Sequence, residues 1–502
     1  MDKHTTAPAL SAPILLTSMT HESAADFVLP EYMPPIRRVI SVEAVPLPES
    51  RFLSGTAMEL GGTLAFAVLY IGEDGAVSCA SVTSEYTASC ALGEIQIADA
   101  ARVGVDTTVE NITCRVTGPR AFTVRTRMKT HLQALGSRPL DEKITDTAGV
   151  RPTAADVIAL ERRMKSAGDT ILLRGETTVT VSGTMPTAPG TKFIRAGGAV
   201  RVDEAKSGDG VVRLRGEIFM HALCLSPDGQ FTRADAKAPF DETISVPESY
   251  EGDAARGWGR AASVTIQPGE ADGAMCSFEI EADLEVECAR AGSTGYTADA
   301  YSTGYASEIT TEETDSLTLL RCGNNALSVS GESGRQSKPQ PGESIVDVTA
   351  NASADHVEMR DGQLILHGVA AVSVLIAAEG DLLSEEFTLP FRCEMPAATE
   401  SSGEILWRCV PQVISATARP EGDKLAVHLE MCVSTSAIAR EKIRRVSAIV
   451  LDKNATHRRR DGEIRICFPD PGEPLWDIAK RYAIPRARLG EEELADGSPL
   501  VV

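Results

Sequence analysis

Apolar and polar side chains alternate one for one along much of this chain. In VRTRMKT, Val124, Thr126, Met128 and Thr130 face one way, and Arg125, Arg127 and Lys129 the other. Phe278, Ile280, Ala282, Leu284 and Val286 do the same against Glu279, Glu281, Asp283, Glu285 and Glu287. A period of two with one charged face predicts half-buried antiparallel strands. Helical spacing is rare. Val157, Leu160 and Met164 behind a Thr153 cap predict one short helix over 153–166, and Leu475, Ile478, Ala479 and Tyr482 fall at i, i+3, i+4, i+7 near the C-terminus.

The strand pattern recurs. GGTLAFAVLYIGEDG (61–75), RGEIFMHALCLSPDG (215–229) and HGVAAVSVLIAAEGD (367–381) each set a glycine seven residues before a leucine: Gly62 and Leu69, Gly216 and Leu223, Gly368 and Leu375. The first two run into Asp74-Gly75 and Asp228-Gly229, hairpin turns in which glycine accepts a positive φ. Glu379-Gly380-Asp381 is a trimmed version. Each return strand ends on an aromatic, Tyr86, Phe240 or Phe391, the last two preceded by proline, and the third hairpin is one residue shorter. A second strand-rich block follows each hairpin, at 109–135, 262–288 and 409–437. The expected fold is therefore mainly β: three repeated antiparallel β domains, each a sandwich or an open barrel, plus a small C-terminal unit. The boundaries read as a disordered N-terminal segment (1–28), a first β-repeat (29–145), a spacer helix with the second β-repeat (146–290), a Ser/Thr/Gly/Tyr-rich linker (291–342), a third β-repeat (343–450), a basic linker (451–463) and the terminal unit (464–502).

At 502 residues the chain exceeds what one core holds. A net charge of −22 argues against a nucleic-acid-binding body, because phosphate contacts need clustered Lys and Arg. One basic cluster does stand out: Arg440, Lys442, Arg444 and Arg445, followed by HRRR at 457–460. It reads as a solvated linker or as an electrostatic tether to an acidic partner or anionic surface. The eleven cysteines include no CxxC pair and read as reduced, buried thiols. Neither a phosphate-binding glycine loop, nor HExxH, nor a GxSxG elbow occurs, so the expectation is a non-enzyme with no catalytic residue, cofactor or metal site. The run Pro13–Leu16 is too short for a signal sequence, and no apolar run approaches a membrane span, so the chain is expected to stay in the cytoplasm without membrane insertion.

Residues 464–502 resemble a LysM domain. The matching residues are the strand IRICF (464–468), Pro471-Gly472-Glu473, Leu475-Trp476-Asp477-Ile478-Ala479, Tyr482 and the closing GSPLVV (497–502). The resemblance implies a βααβ unit. In that family it commonly implies binding of N-acetylglucosamine-containing glycans, peptidoglycan among them, through the strand–helix loop and the loop before the last strand. It makes Pro471, Gly472, Glu473, Leu475, Trp476, Ile478 and Tyr482 the candidate binding residues. Family loops usually read Gly-Asp-Thr; here the loop is Gly472-Glu473-Pro474, and protein docking is at least as well served as sugar. The rest of the chain resembles the SPOCS (DUF3794) domains of clostridial spore-coat morphogenetic proteins, through LPEYMPPIRRVISVEA (29–44), the glycine-strand hairpin and the Pro-Phe strand. That resemblance implies a scaffold or adaptor of spore-coat assembly, acting in the mother-cell cytoplasm at the forespore surface. Its LysM unit would dock the sporulation ATPase that founds the coat, or another coat protein; a peptidoglycan-binding protein is the alternative.

Overall fold

The computed structural model describes residues 9–47, 50–54, 57–91, 103–267, 275–340, 342–378, 381–457, 464–490 and 492–502. The hairpin signatures show first how the sequence builds it. Gly75 and Gly229 hold φ of 81° and 82°, and the turns close with Gly72 N–H donating to the Ala76 carbonyl and Ser226 N–H to the Gln230 carbonyl. The recurring glycine and aromatic are cross-strand partners: Gly62 opposite Tyr86, Gly216 opposite Phe240, Gly368 opposite Phe391. A Cβ on any of the three glycines would lie within 3.0 Å of that ring. The ring therefore covers a position only glycine leaves open. Pro239 and Pro390 sit on strands paired on one side only, where the missing N–H costs no ladder bond.

The strands fall into three stretches that pair alike. The first holds β1 (Ala9–Val28), β2 (Ile36–Pro46), β3 (Ser50–Ser54), β4 (Ala57–Gly72), β5 (Val77–Ala91), β6 (Val103–Gly118) and β7 (Ala121–Pro139). After β8 (Lys143–Asp146) and α1 (Ala154–Ile158), the second holds β9 (Leu160–Pro186), β10 (Lys192–Gly208), β11 (Val211–Leu225), β12 (Phe231–Ser245), β13 (Ala254–Gln267) and β14 (Met275–Ser302). The third holds β15 (Tyr305–Gly334), β16 (Ser344–Arg360), β17 (Gln363–Ala378), β18 (Asp381–Pro396), β19 (Glu404–Glu421) and β20 (Lys424–Thr456). One sheet of each is a meander: β2-β4-β5 with β3 added, β10-β11-β12, and β16-β17-β18. The other puts the stretch's first strand beside its last: β1-β7-β6, β9-β14-β13 and β15-β20-β19.

These sheets stay open, and apolar faces from both sheets of a stretch meet in one core. Val68 and Tyr70 pack with Phe122 and Met128, Met220 with Phe278 and Ile280, and Val374 with Leu429 and Met431. The alternation read from sequence decides which side chains enter: over 121–132 of β7 and 275–286 of β14 every second residue is buried.

Three expected boundaries are corrected. Residues 9–28, expected to be disordered, are β1, paired along its length with β7. Within 291–342, expected to be a linker, β14 runs to Ser302 and β15 from Tyr305 to Gly334, paired with β9 and β20. The helix behind Thr153 ends at Ile158, capped as expected by the Thr153 side chain, and Met164 already lies in β9. The cause is common to all three. Each segment is the first strand of a stretch, or runs into it, and that strand owes its order to a long ladder with a strand far along the chain rather than to its own hydrophobicity. The basic cluster also moves. Arg440, Lys442 and Arg445 lie in β20 and pair with Asp315 and Glu312 of β15 and Glu404 of β19, so this part is neither a solvated linker nor a free tether. Residues 451–456 complete β20; Arg458–Arg460 lie outside the described residues, as do Glu379 and Gly380.

The three stretches touch through corresponding positions. Leu69, Leu223 and Leu375 pack together. Opposite them, each just past a bulge, stand Ser41, Arg195 and Asp347. Arg195 reaches Asp347 at 2.6 Å and Glu43 at 2.8 Å. In the second set of sheets Glu287, expected on a solvent-facing charged face, is fully buried, because Arg174, Arg256 and Arg408 surround it at 2.8, 3.0 and 3.3 Å. Arg408 also grips Asp106 of the first stretch, and Arg256 and Arg408 both lie against the Trp258 ring. Finally β8 leaves the first stretch and joins the third, pairing parallel with Ala448–Leu451 of β20.

Candidate functional site

The terminal unit is built from β21 (Ile466–Cys467) and β22 (Leu500–Val501), paired antiparallel, around α2 (Leu475–Arg481) and a 3-10 turn (Arg486–Leu489). Gly472 turns the chain out of β21 at φ 85°, and Pro474 leads into the helix in extended conformation. The stripe at i, i+3, i+4 behaves as its spacing predicts: Leu475, Ile478 and Ala479 are buried with Cys467, Ile484, Leu489 and Val502, while Tyr482 packs at the edge. Leu475 and Ile478 therefore act on any binding only through the unit's stability.

The loop residues are spent inside the unit. Gly472 N–H donates to the Ala495 carbonyl, Ala495 N–H to the Glu473 carbonyl, and Leu475 N–H to the Glu493 carbonyl. Pro471 rests on Gly497. Glu473 pairs with Arg481 and accepts from Asp470 N–H. The two loops that the LysM resemblance assigns to a glycan thus bond to each other.

Trp476 flanks the helix stripe and packs against the body. Its Nε1 donates to Asp299 Oδ2 at 2.8 Å, and Lys480 Nζ donates to both oxygens of the same carboxylate at 2.7 and 2.8 Å. The Tyr301 ring meets the Trp476 ring edge-on, centroids 5.1 Å apart, and its hydroxyl donates to the Ile484 carbonyl at 2.7 Å. Asp299 and Tyr301 share a face of β14, two residues apart, just after a bulge between Thr297 and Asp299 that re-aims the strand. Burial works against the Asp299 charge, but the bonds from Lys480 and Trp476 outweigh it and hold the carboxyl below its usual range. Burial pushes the Tyr301 phenol up, so it stays a neutral donor.

Of this contact sequence reasoning named Trp476 alone, as a group for an outside partner, and missed Lys480, Ile484, Asp299 and Tyr301. Asp299 and Tyr301 fall in GYTADAYST, poor in large aliphatics and therefore read as linker. Its tyrosines and threonines, favoured in strands, were the available signal.

Elsewhere, the buried carboxylates Asp106, Glu287 and Asp347 are paired with arginines. Burial opposes ionisation of Glu287, yet Arg256, Arg174 and Arg408 hold it well below the ordinary range. The eleven thiols are free, and all are buried or half-buried. Burial pushes Cys79 up to about 11 and Cys409 up to about 12, which keeps both protonated and unreactive. Among the described residues no three His, Cys, Asp or Glu are grouped to hold a metal ion, and no helix is long and apolar enough to cross a membrane. No family model, curated protein or solved structure matches the chain.

Proposed function

We propose that this chain is a non-enzymatic scaffold or adaptor of bacterial spore-coat assembly, in which three SPOCS-like β-repeats carry a LysM-like module that docks a coat morphogenetic protein. The observation that carries this reading is the recurrence of one pairing scheme: the glycine–aromatic pair quoted for the resemblance is the same cross-strand contact in all three stretches. Large β-surfaces whose buried charges are committed to ion pairs between stretches suit a structural part better than a reaction vessel. The mutual bonding of the loops 470–475 and 493–495 favours a protein over a sugar as the module's partner. The site of action is the mother-cell cytoplasm, at the forespore surface. A fluorescent fusion in a sporulating cell tests the reading directly: it forms a shell around the forespore if the proposal holds, and diffuse fluorescence throughout sporulation overturns it. A pull-down with the coat-founding ATPase is lost on deleting 464–502; retention unchanged would remove the docking role from the module.

A further inference from the structure

The module's tryptophan face is occupied by the chain's own strand, and the occupant shows what that face recognises. Three groups on the module converge on two side chains of the body. The Trp476 indole N–H and the Lys480 ammonium both need an acceptor, and one carboxylate serves both. The Trp476 ring and the Ile484 carbonyl need an aromatic bearing a hydroxyl, and Tyr301 serves both. Spacing is fixed by the strand: residues i and i+2 point to one face, so a carboxylate and a tyrosine two apart present themselves together.

The corresponding place in the third stretch lacks the acid and the tyrosine and takes β8 instead. β20 carries a bulge there too, between Val446 and Ala448, opposite Thr310 and Thr311. Ala448 and Val450 follow it, where β14 has Asp299 and Tyr301. The module sits on the stretch with the acid and the tyrosine. The contact is also one that can open. Asp299 and Lys480 keep 29% and 40% of their side-chain surface in water, where an ion pair is screened and weak.

We propose that the Trp476–Lys480 face is a recognition surface for a β-strand presenting an acidic residue and, two residues on, a tyrosine, and that β14 holds this surface closed until a partner strand of the same chemistry displaces it. The inference rests on the module's being the docking part of a scaffold, and names the chemistry of what it docks. A partner competes for the face rather than adding to it, so weakening the seat strengthens the partner.

Hydrogen exchange of the full-length chain reads the seat. In Asp299→Ala and in Tyr301→Leu, exchange over 475–484 rises by about tenfold or more, while β9 and the rest of β14 keep their protection. Lys480→Gln, which leaves the body untouched, gives a smaller rise at the same residues and decides the matter if either body variant disturbs β14. An acetylated peptide of sequence GYTADAYST, added in excess to the Asp299→Ala chain, restores protection over 475–484; the same peptide with alanine for its aspartate and its last tyrosine does not. Unchanged exchange at 475–484 in folded variants overturns the closed seat, and equal rescue by the alanine peptide overturns the acid–tyrosine recognition. Either failure leaves the forespore-localisation result untouched, so loss of this inference and loss of the scaffold reading are told apart.

Discussion

The seam inside the body and the seat of the module both rest on a carboxylate held by cations, yet they differ in what water can do to them. At the seam, Glu287 and Arg256 are wholly buried. At the seat, Asp299 and Lys480 are partly wet. Removing one partner of a buried pair strands an uncompensated charge where water cannot follow, so the seam behaves as a weld. Removing one partner of a wet pair lets solvent replace it, so the seat behaves as a catch. Joining three stretches of sheet calls for the first kind of contact; releasing a module calls for the second.

The largest test of this contrast is Glu287→Ala, which leaves Arg408 with Asp106 and the half-buried Glu285 and removes the carboxylate that Arg174 and Arg256 bond. A loss of about 3–5 kcal/mol is expected, read from the urea midpoint of the whole chain. A loss no larger than that from Asp299→Ala would erase the distinction. Next comes Gly216→Ala. The new methyl meets the Arg201 carbonyl and the Phe240 ring, and about 1–3 kcal/mol should be lost from the same transition. Tyr301→Phe keeps the ring and removes the bond to the Ile484 carbonyl. About 1 kcal/mol should vanish from the seat alone, visible as faster proteolysis between the body and the module with the body's melting temperature unchanged.

The smallest effect is in pH. Because Asp299 is held below its usual range when docked, its contribution is full above about pH 4 and fades as pH falls through the docked value. The protection factors over 475–484, corrected for the intrinsic pH dependence of amide exchange, should therefore fall below that pH and stay flat from there to neutrality. A loss on raising the pH toward neutrality would mean that some other group holds the module.

Strand identity was legible in the sequence where a strand carries its own alternation. Val124 to Thr130 and Phe278 to Val286 are buried and exposed as their order dictates. The glycine, leucine and aromatic of each hairpin were legible as a recurrence, and their reason became visible only with the pairing, since Gly62 and Tyr86 are neighbours across strands rather than along one. What the sequence hid was whatever depends on a distant partner. β1 and the stretch from 291 to 334 look soft because their stability resides in β7, β9 and β20. Glu287 looks like its neighbours Glu285 and Glu281, and is told apart only by three arginines from three different strands. For the module, Leu475 and Ile478 were placed correctly as a stripe. Trp476 owes its burial partly to Tyr301, about which helical spacing says nothing.

The parallel pairing of β8 with β20 bears on when the body can finish folding. Asp106 and its partner Arg408 are 302 residues apart, and β8 waits for a strand comparably far down the chain. At about 5–20 residues per second, a ribosome needs roughly 15–60 s to supply that partner. During that interval the first stretch holds an unpaired Asp106 and an idle β8 edge. A chain broken off before β19 satisfies neither, and one broken off between β19 and β20 still leaves β8 without its strand, so the seam acts as a completeness check: only a polypeptide translated through its third stretch can bury its own charges.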